Sequence, residues 1–240
     1  MKYKKRADYQ IEYFEELPSS FLYAKGKRSD GKDLIVVTDI QSGGIGTKGR
    51  SFSSQRGGVY FTSLTFFENF STQEAFKIMA NCAVSVCKTL SKYGAKPCIK
   101  WPNDIFLKDK KVCGILIENL FSGKQIISSL VGIGVNICNL LPAELTDTAI
   151  TLSQALGKIF SQDEVEKFRE ELIDDWLTEK PNLMNEYRSY IGYIGKEVVL
   201  LLGDKQVPAT ILSVTDDGKL HVDTIEGKML LSSAEVSVRI

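Results

Sequence analysis

Residues 100–118 read KWPNDIFLKDKKVCGILIE, and this stretch decides how the middle of the chain folds. Two apolar runs, 104–107 and 111–118, flank a short charged segment. Apolar runs on either side of a polar turn predict a β-hairpin. Pro102 keeps the residue before it extended and offers no backbone N–H, so the hairpin is expected to begin directly after it. The sequence thus places lysine, asparagine and aspartate side chains at the mouth of a buried hairpin.

The flanking sequence predicts further strands and two amphipathic helices. β-branched and aromatic residues predict strands at residues 34–38, 59–67, 98–101 and 125–137. Ser71 and Glu74 have the spacing of a capping box, and the apolar residues behind them recur at helical intervals until Gly94. Ser161 and Glu164 repeat the capping-box spacing and predict a second helix as far as about residue 178.

Near residue 191 the pattern changes from long elements to short strands. Strands are expected at residues 196–202, 206–214, 219–225 and 228–238, with Gly or Asp in the turns between them. This pattern predicts a small β-barrel-like domain. The fold class is therefore α+β: a mixed β-sheet with helices packed on one side, followed by a small C-terminal β domain. The expected domains are residues 1–190 and 191–240.

The composition excludes several classes of function. The chain has 240 residues with 30 basic and 30 acidic side chains, so no basic surplus indicates nucleic-acid binding. The one histidine, His221, argues against a His-based triad or metal site, and no structural metal is expected. Five cysteines lie in apolar segments without a C-x-x-C pair, as in proteins of a reducing compartment. No apolar run could span a membrane and no signal peptide is present, so a cytoplasmic location is expected.

A glycine-rich loop follows the strand predicted at 34–38. Four glycines lie within seven residues: Gly43, Gly44, Gly46 and Gly49. They match G-x-G-x-x-G, but no helix follows, so a dinucleotide-binding fold is not expected. Glycines free backbone N–H groups to curl around an anion, and three cations lie close by: Lys48, Arg50 and Arg56. An anion-binding loop is the favoured interpretation, and a flexible surface loop is the alternative.

Charged side chains in the opening stretch fit a phosphate or carboxylate ligand. The carboxylate of Asp104 could hold a magnesium ion on a phosphate. Lys100 and Lys111 could neutralise a carboxylate or a phosphate. For residues 108–110 a solvated turn is the better interpretation. Lys111 borders an apolar strand, so its stem can pack there while its ammonium reaches a pocket.

On these residues the chain resembles the biotin protein ligases. The most specific feature is KWPND at 100–104, and KVCG at 111–114 and GIGVN at 132–136 follow at the family's distances. The loop ending GRSF at 49–52 resembles the family's arginine-rich glycine loop, and PSSF at 18–21 lies where the family has a related polar stretch. The resemblance covers nearly the whole chain.

The resemblance implies a catalytic domain of the class II synthetase or biotin–lipoate ligase type and a C-terminal SH3-like β-barrel. It implies that ATP and biotin form biotinyl-5'-AMP and pyrophosphate. A lysine of a biotin carboxyl carrier protein, from acetyl-CoA carboxylase or a related carboxylase, would then take the biotinyl group. ATP, Mg2+ and biotin are the expected small molecules. Such chemistry depends on positioning and charge stabilisation more than on a histidine base.

The resemblance also assigns roles to individual residues. The expected biotin contacts are Ser19, Ser20, Gln41, Gly44, Lys111, Gly114, Gly132 and Gly134. The expected ATP contacts are Gly46, Lys48, Arg50, Trp101, Asn103, Asp104, Asn136 and Arg239, with Asp104 serving Mg2+ through ATP. The expected catalytic residues are Lys111, Asp104 and Arg50.

Four positions depart from the family pattern. Ile45 and Thr47 stand where the family has loop arginines, Phe52 stands for its tryptophan, and Phe21 stands for a preferred asparagine. A loop with fewer cations is expected to retain biotinyl-adenylate less tightly. An arginine at Thr47 is therefore expected to slow release of the intermediate.

Two other functions stay open. A lipoate or octanoate transferase shares the core architecture, although KWPND favours biotin. A biotin sensor would bind biotin without turning over ATP. Because Ser19 and Ser20 lie close to the first residue, no DNA-binding domain is expected ahead of them. A homodimer is possible, and the sequence does not identify the carrier protein.

Overall fold

The computed structural model describes residues 4–203, 205–232 and 237–239. For Lys48 and for residues 237–239 only the backbone is described, so the expected ATP contacts of Lys48 and Arg239 lie outside the described side chains. The larger sheet comprises β1 (Gln10–Leu17), β2 (Leu34–Gln41), β3 (Val59–Ser71), β4 (Cys98–Lys100), β5 (Asp104–Leu107), β6 (Lys110–Ser122) and β7 (Gln125–Val135). The smaller sheet comprises β8 (Glu197–Leu202), β9 (Lys205–Val214), β10 (Leu220–Thr224), β11 (Gly227–Leu231) and β12 (Ser237–Arg239). The helices are α1 (Ser20–Gly26), α2 (Ala75–Lys92), α3 (Leu152–Leu156), α4 (Gln162–Leu177) and α5 (Leu183–Ser189).

The larger sheet is mixed and has the strand order β1-β2-β3-β7-β6-β5-β4. β1 and β2 pair in parallel, and the other neighbours pair antiparallel. The predicted mixed sheet is therefore confirmed. β1 and α1 were not predicted, and together they lead the chain into the region described below as the candidate site.

The opening stretch forms the predicted hairpin. Lys108 and Asp109 join β5 to β6 with positive φ angles of 48° and 60°, as a two-residue type I′ turn requires. The register shifts within β5, so Phe106 pairs with Lys111. Opposed residues project from the same face of a sheet. Lys111 therefore shares a face with Phe106 and, two residues earlier, with Asp104.

One of the two predicted capping boxes is present. The Ser161 hydroxyl accepts from the N–H of Glu164 at 3.2 Å, and the Glu164 carboxylate accepts from the N–H of Ser161 at 2.9 Å. The box predicted at Ser71 is wrong, because a 3-10 turn separates Ser71 from α2 and its hydroxyl accepts from Gln73 instead. The helix itself lies where its apolar spacing predicted it.

The two faces of the larger sheet carry separate cores. Along β2, Ile35 and Val37 join the large core, which also contains α2, α4 and α5, whereas Leu34 and Val36 face the other way. The helices predicted on one side are thus confirmed there, and the short α1 covers the opposite face with residues such as Phe21. The candidate site lies on this α1 face.

The C-terminal residues form the predicted small β domain. Its sheet has the order β11-β10-β9-β8-β12, and its paired strands are antiparallel. The single strand predicted at 228–238 corresponds to β11 and β12, and residues 233–236 between them lie outside the described residues. The exact domain boundary stays a prediction. No described helix is both long and apolar enough to cross a membrane.

Candidate active site

Two glycines form the floor of a cavity on the α1 face. Gly114 on β6 pairs with Gly134 on β7, which in turn pairs with Tyr60 on β3. The ring of Phe52 lies directly against the glycine pair. A Cβ at Gly134 would come within 2.5 Å of the Phe52 ring, and a Cβ at Gly114 within 2.9 Å. Glycine is therefore required at both positions for the loop that carries Phe52 to close over the sheet.

A polar network forms one wall of this cavity. Ser20 donates its backbone N–H and its hydroxyl to Gln41 Oε1, at 2.8 and 3.0 Å. The hydroxyl oxygens of Ser20 and Thr62 are 2.9 Å apart, and Gln41 Nε2 donates to the Ser54 hydroxyl at 2.8 Å. The Ser19 hydroxyl caps α1. Hydroxyl groups both donate and accept, so this wall can match a ligand ring that carries donors and acceptors.

The cavity collects most of the expected biotin contacts. It is lined, among others, by Ser19, Ser20, Gln41, Lys111, Gly114, Gly132 and Gly134. Gly44 is the exception: it is absent from the lining, and a Cβ there would meet the carbonyl oxygen of Phe52 at 2.4 Å. Thr62 belongs to the lining and was missed. Its signal was a polar residue within an apolar strand, in register with Gly132.

The glycine-rich loop is a self-bonded hairpin. The N–H of Gly46 donates to Arg50 O at 2.7 Å, the N–H of Phe52 to Gly44 O at 2.8 Å, and the N–H of Gly43 to a carbonyl at the end of β1 at 2.8 Å. The anion cradle predicted here is wrong for Gly43 and Gly46, because their N–H groups are already used. Gly46, expected beside ATP, lines the first cavity instead.

Arg56 does not supply charge to the loop. Its guanidinium donates to Asp39 at 3.1 Å and to Glu15 at 2.7 Å. Asp39 also lies 3.8 Å from Arg169 on α4. Arg56, which the sequence predicted beside the loop, thus pairs with carboxylates on β1 and β2 instead, and Asp39 extends this network to α4.

A second cavity adjoins the first, and Lys111 lines both. Lys111 Nζ lies 2.6 Å from Asp104 Oδ1, with each side chain 33% exposed. The second cavity is lined by three of the expected ATP contacts, Arg50, Asp104 and Asn136, and by Lys100 and Lys111. Asn136 is almost fully buried, and its Oδ1 accepts from Asn139 Nδ2 at 3.1 Å. The lining thus carries three cations, and also three carboxylates: Asp104, Asp109 and Asp147. The cations can contact phosphate oxygens.

Two expected ATP contacts are turned away from both cavities. Trp101 is 3% exposed, and its indole N–H donates to Gly218 O at 3.0 Å. Asn103 donates its side-chain N–H to Ile115 O on β6 at 3.0 Å. Neither is among the described residues that line the two cavities. Direct contact of these side chains with ATP is not supported, because both are engaged in holding the chain around Asp104.

The cysteine behind the floor is not a candidate nucleophile. Cys113 is fully buried, and burial raises the pKa of its thiol well above the usual range, more than the nearby Lys111 lowers it. The thiolate, which is the reactive form, is therefore scarce at neutral pH.

Comparison with known families decides the classification. Residues 17–136 match the model of the Biotin/lipoate A/B protein ligase family, and residues 193–239 match that of the Biotin protein ligase C terminal domain. The chain belongs to the Biotin/lipoate A/B protein ligase family. The resemblance stated from the sequence is thereby confirmed, together with the small C-terminal domain that it implied.

Individual members of the family show the same similarity. The chain is 30% identical over 213 residues to the bifunctional ligase/repressor BirA of Bacillus subtilis, covering 85% of this chain and 66% of that protein. It is 25% identical over 225 residues to the biotin--[acetyl-CoA-carboxylase] ligase of Mycobacterium tuberculosis, covering 89% of this chain and 81% of that protein. The chain thus spans slightly less than two thirds of the bifunctional relative.

Solved structures of family members share the fold. The biotin protein ligase of Aquifex aeolicus in complex with biotin and ATP superposes with a TM-score of 0.75 at 29% identity, covering 96% of this chain and 98% of that chain. The ligase of Leishmania major in complex with biotinyl-5-AMP, at 22% identity and a TM-score of 0.61, shows the same fold. The predicted fold class is confirmed.

Proposed function

We propose that this protein activates biotin with ATP to biotinyl-5'-AMP and transfers the biotinyl group to a lysine of a biotin carboxyl carrier domain. One observation carries the proposal: two cavities of different chemistry meet at the Lys111–Asp104 ion pair. The first has a glycine floor and a hydroxyl-rich wall. The second is lined by three cations and three carboxylates. A carboxylate in the first and a triphosphate in the second would be brought together at Lys111.

The first cavity suits the ring and side chain of biotin. Biotin's ureido group offers both donors and acceptors, which the linked hydroxyls of Ser20 and Thr62 can match. The Phe52 ring rests on Gly114 and Gly134 and lines the cavity, so it would offer an apolar surface to the ligand. The carboxylate at the end of the biotin side chain would then lie within reach of Lys111, which lines the exit into the second cavity.

The second cavity suits ATP. Arg50, Lys100 and Lys111 place three cations around it, and Asn136 adds a buried amide. No group of three or more His, Cys, Asp and Glu side chains in the described part of the chain could hold a metal by itself. Asp104 alone fits Mg2+ held mainly by phosphate oxygens and water. Bound in this way, the ion would offset negative charge on the phosphates.

The proposed reaction has two steps. A carboxylate oxygen of biotin attacks the α-phosphorus of ATP, the bond to the β-phosphate breaks, and pyrophosphate leaves. The amine of the carrier lysine then attacks the acyl carbon of biotinyl-5'-AMP, loses a proton, and releases AMP. The Lys111 ammonium would orient the carboxylate and offset the charge that develops on oxygen in both steps.

The comparisons support biotin and a carboxylase carrier. Relatives are named biotin--[acetyl-CoA-carboxylase] ligase, and a solved relative holds biotin and ATP. The C-terminal match is to a domain named for biotin protein ligases, although the name of the larger family also includes lipoate. A cytoplasmic location is part of the proposal and agrees with five free cysteines.

The test is transfer to a purified carrier domain of acetyl-CoA carboxylase. With ATP, Mg2+ and biotin, we expect the mass of one carrier lysine to increase. Replacing that lysine with arginine should abolish the increase. Lipoate and octanoate in parallel reactions should give at most trace labelling. Labelling by lipoate or octanoate instead of biotin would identify the protein as a lipoate or octanoate transferase. Binding of biotin without ATP consumption would identify a sensor.

A further inference from the structure

The Trp101–Pro102 dipeptide is held by two buried tyrosines from beyond α4. The backbone N–H of Trp101 donates to the hydroxyl of Tyr193 at 2.5 Å. The hydroxyl of Tyr187, in α5, donates to the carbonyl oxygen of Pro102 at 2.7 Å. Tyr187 is 0% exposed and Tyr193 is 1% exposed. The Trp101 bond is buried and the Pro102 bond is partly buried, so a missing partner costs more here than it does at the surface.

The small C-terminal domain supplies a third hydrogen bond to this dipeptide, and the three bonds together are called the clamp below. The indole N–H of Trp101 donates to the carbonyl of Gly218, in the turn between β9 and β10. Gly218 has φ +84° and lies so close to Phe76 on α2 that a Cβ would come within 2.1 Å of its ring. The Phe76 ring packs edge-on against Tyr187 at 5.3 Å. Residues from α5 and the C-terminal domain therefore bond one dipeptide, and Phe76 on α2 packs against Tyr187 and Gly218.

The clamp continues forward to the ion pair. Asn103, next after the dipeptide, donates to Ile115 O on β6. Asp104 follows and reaches Lys111 at 2.6 Å. Each residue from Trp101 to Asp104 thus has a polar anchor, and of these four side chains only the Asp104 carboxylate lines the second cavity.

We propose that Tyr187 is a positioning residue for the Asp104–Lys111 pair, acting through the carbonyl of Pro102. The proposal rests on the proposed function, because it concerns the formation of the adenylate at that pair. Without the hydroxyl, the partly buried Pro102 carbonyl loses its donor, and the segment leading to Asp104 is free to shift. A displacement of about 1 Å at a reacting group can lower a rate on the order of 100-fold. Tyr193 acts in the same direction through the N–H of Trp101.

The experiment compares Tyr187→Phe with Tyr9→Phe. Tyr9 is a matched control because its hydroxyl also has one internal partner, Thr65, at 2.8 Å, in a part of the sheet remote from the ion pair. For both variants we would measure unfolding by urea, biotin affinity, and kcat and KM for ATP in biotin-dependent pyrophosphate exchange. We expect Tyr187→Phe to lower kcat at least about tenfold, with biotin affinity within twofold of wild type. Tyr9→Phe should lose stability but keep kcat.

A second readout does not need activity. The 13Cγ resonance of Asp104 reports its contact with Lys111, and it should move in Tyr187→Phe but not in Tyr9→Phe. Tyr193→Phe should behave like Tyr187→Phe and serves if the first variant does not fold. Equal behaviour of Tyr187→Phe and Tyr9→Phe in both readouts would overturn the positioning role. Absence of exchange in the wild type would instead refute the proposed function. The Asp104 resonance alone would then show whether Tyr187 positions Asp104.

Discussion

The ammonium of Lys111 lies 2.6 Å from the carboxylate of Asp104, across the pair of strands that the opening stretch forms. Both side chains are partly exposed at the place where the two cavities meet. An exposed ion pair contributes little to stability. We therefore interpret the pair as a device that holds Lys111 where a carboxylate and a phosphate would meet.

Replacing Lys111 should remove activity and leave the fold intact. Lys111→Ala deletes the charge that would orient the biotin carboxylate, so we expect adenylate formation to fall by about 100-fold or more. The melting temperature should change little because the ion pair is exposed. Lys110→Ala is the matched control: it removes a neighbouring lysine whose ammonium donates to Thr146 O outside the two cavities. Near-wild-type rates for Lys111→Ala would contradict its assigned role.

The glycine floor makes a prediction about stability. Gly134→Ala places a methyl group 2.5 Å from the Phe52 ring, so we expect a loss of about 1–3 kcal/mol in the free energy of unfolding. Phe52→Ala removes the clash, and in its background the added methyl should cost much less, which a double-mutant cycle measures.

Gly26→Ala provides the opposite control. Gly26 ends α1, and a methyl group added there would have nothing within 4 Å, so alanine should stabilise the protein by about 0.5–1 kcal/mol. Urea unfolding of the four variants gives all of these values. A Gly134→Ala variant as stable as wild type, with Phe52 present, would show that the ring does not rest on the floor.

An arginine at Thr47 should slow release of the intermediate. Thr47 lines the first cavity within the loop hairpin, and the described cations nearest in sequence are Arg50, in the second cavity, and Arg56, which is paired elsewhere. The added charge would face the phosphate of biotinyl-adenylate. Stopped-flow trapping of the released intermediate measures the rate. Ser42→Arg adds the same charge at an exposed loop position outside both cavity linings and should leave the rate unchanged.

The ion pair that joins Lys25 on α1 to Glu118 on β6 should make the stability of the protein depend on pH. The Lys25 ammonium, and next the Arg28 guanidinium, lower the pKa of Glu118 against the opposing effect of burial. A carboxylate whose pKa is lower in the folded state stabilises the protein above its unfolded pKa, about 4.3, and loses that effect as pH falls through the folded value. Glu118→Gln should therefore be less stable than wild type at pH 7, with the difference closing as pH falls below the unfolded pKa and through the lower folded one.

Urea unfolding across this pH range tests the prediction. Glu226→Gln, in the exposed turn between β10 and β11, is the control and should follow the wild-type profile. A Glu118→Gln deficit that is constant from pH 7 to about pH 3.5 would exclude the ion pairs as its cause.

The sequence predicted best where one periodicity applied over many residues. β6 and β7 contain apolar runs, at 112–117 and 130–135, in the middle of the sheet, and α2 has clear helical spacing. β1 was missed because three glutamates interrupt its apolar residues, which is typical of an edge strand that stays partly exposed. α1 was missed because it is only seven residues long, and its burial depends on contacts with β2 and β3.

The site residues and their roles were expected from the resemblance to the biotin protein ligases, and motif spacing does not reveal the contacts that each residue makes. Lys111, Gly114, Gly132 and Gly134 line one cavity because strand pairing fixes their register. Trp101 and Asn103 share the motif with Asp104, but their partners lie in distant segments, at Gly218 and Ile115. A local sequence pattern does not show which polar groups of a motif form the hydrogen bonds that hold the motif itself in place. For the same reason the sequence did not show that the N–H groups of Gly43 and Gly46 already donate to backbone carbonyls.

The measurement that tests the central claim most directly is biotin-dependent exchange of labelled pyrophosphate into ATP with Mg2+ and without a carrier. Exchange requires biotin activation at the junction of the two cavities and nothing else. We predict exchange in the wild type, none without biotin, and a loss in Lys111→Ala but not in Lys110→Ala. Biotin binding without any exchange would contradict the account and identify the protein as a binder that does not form the adenylate.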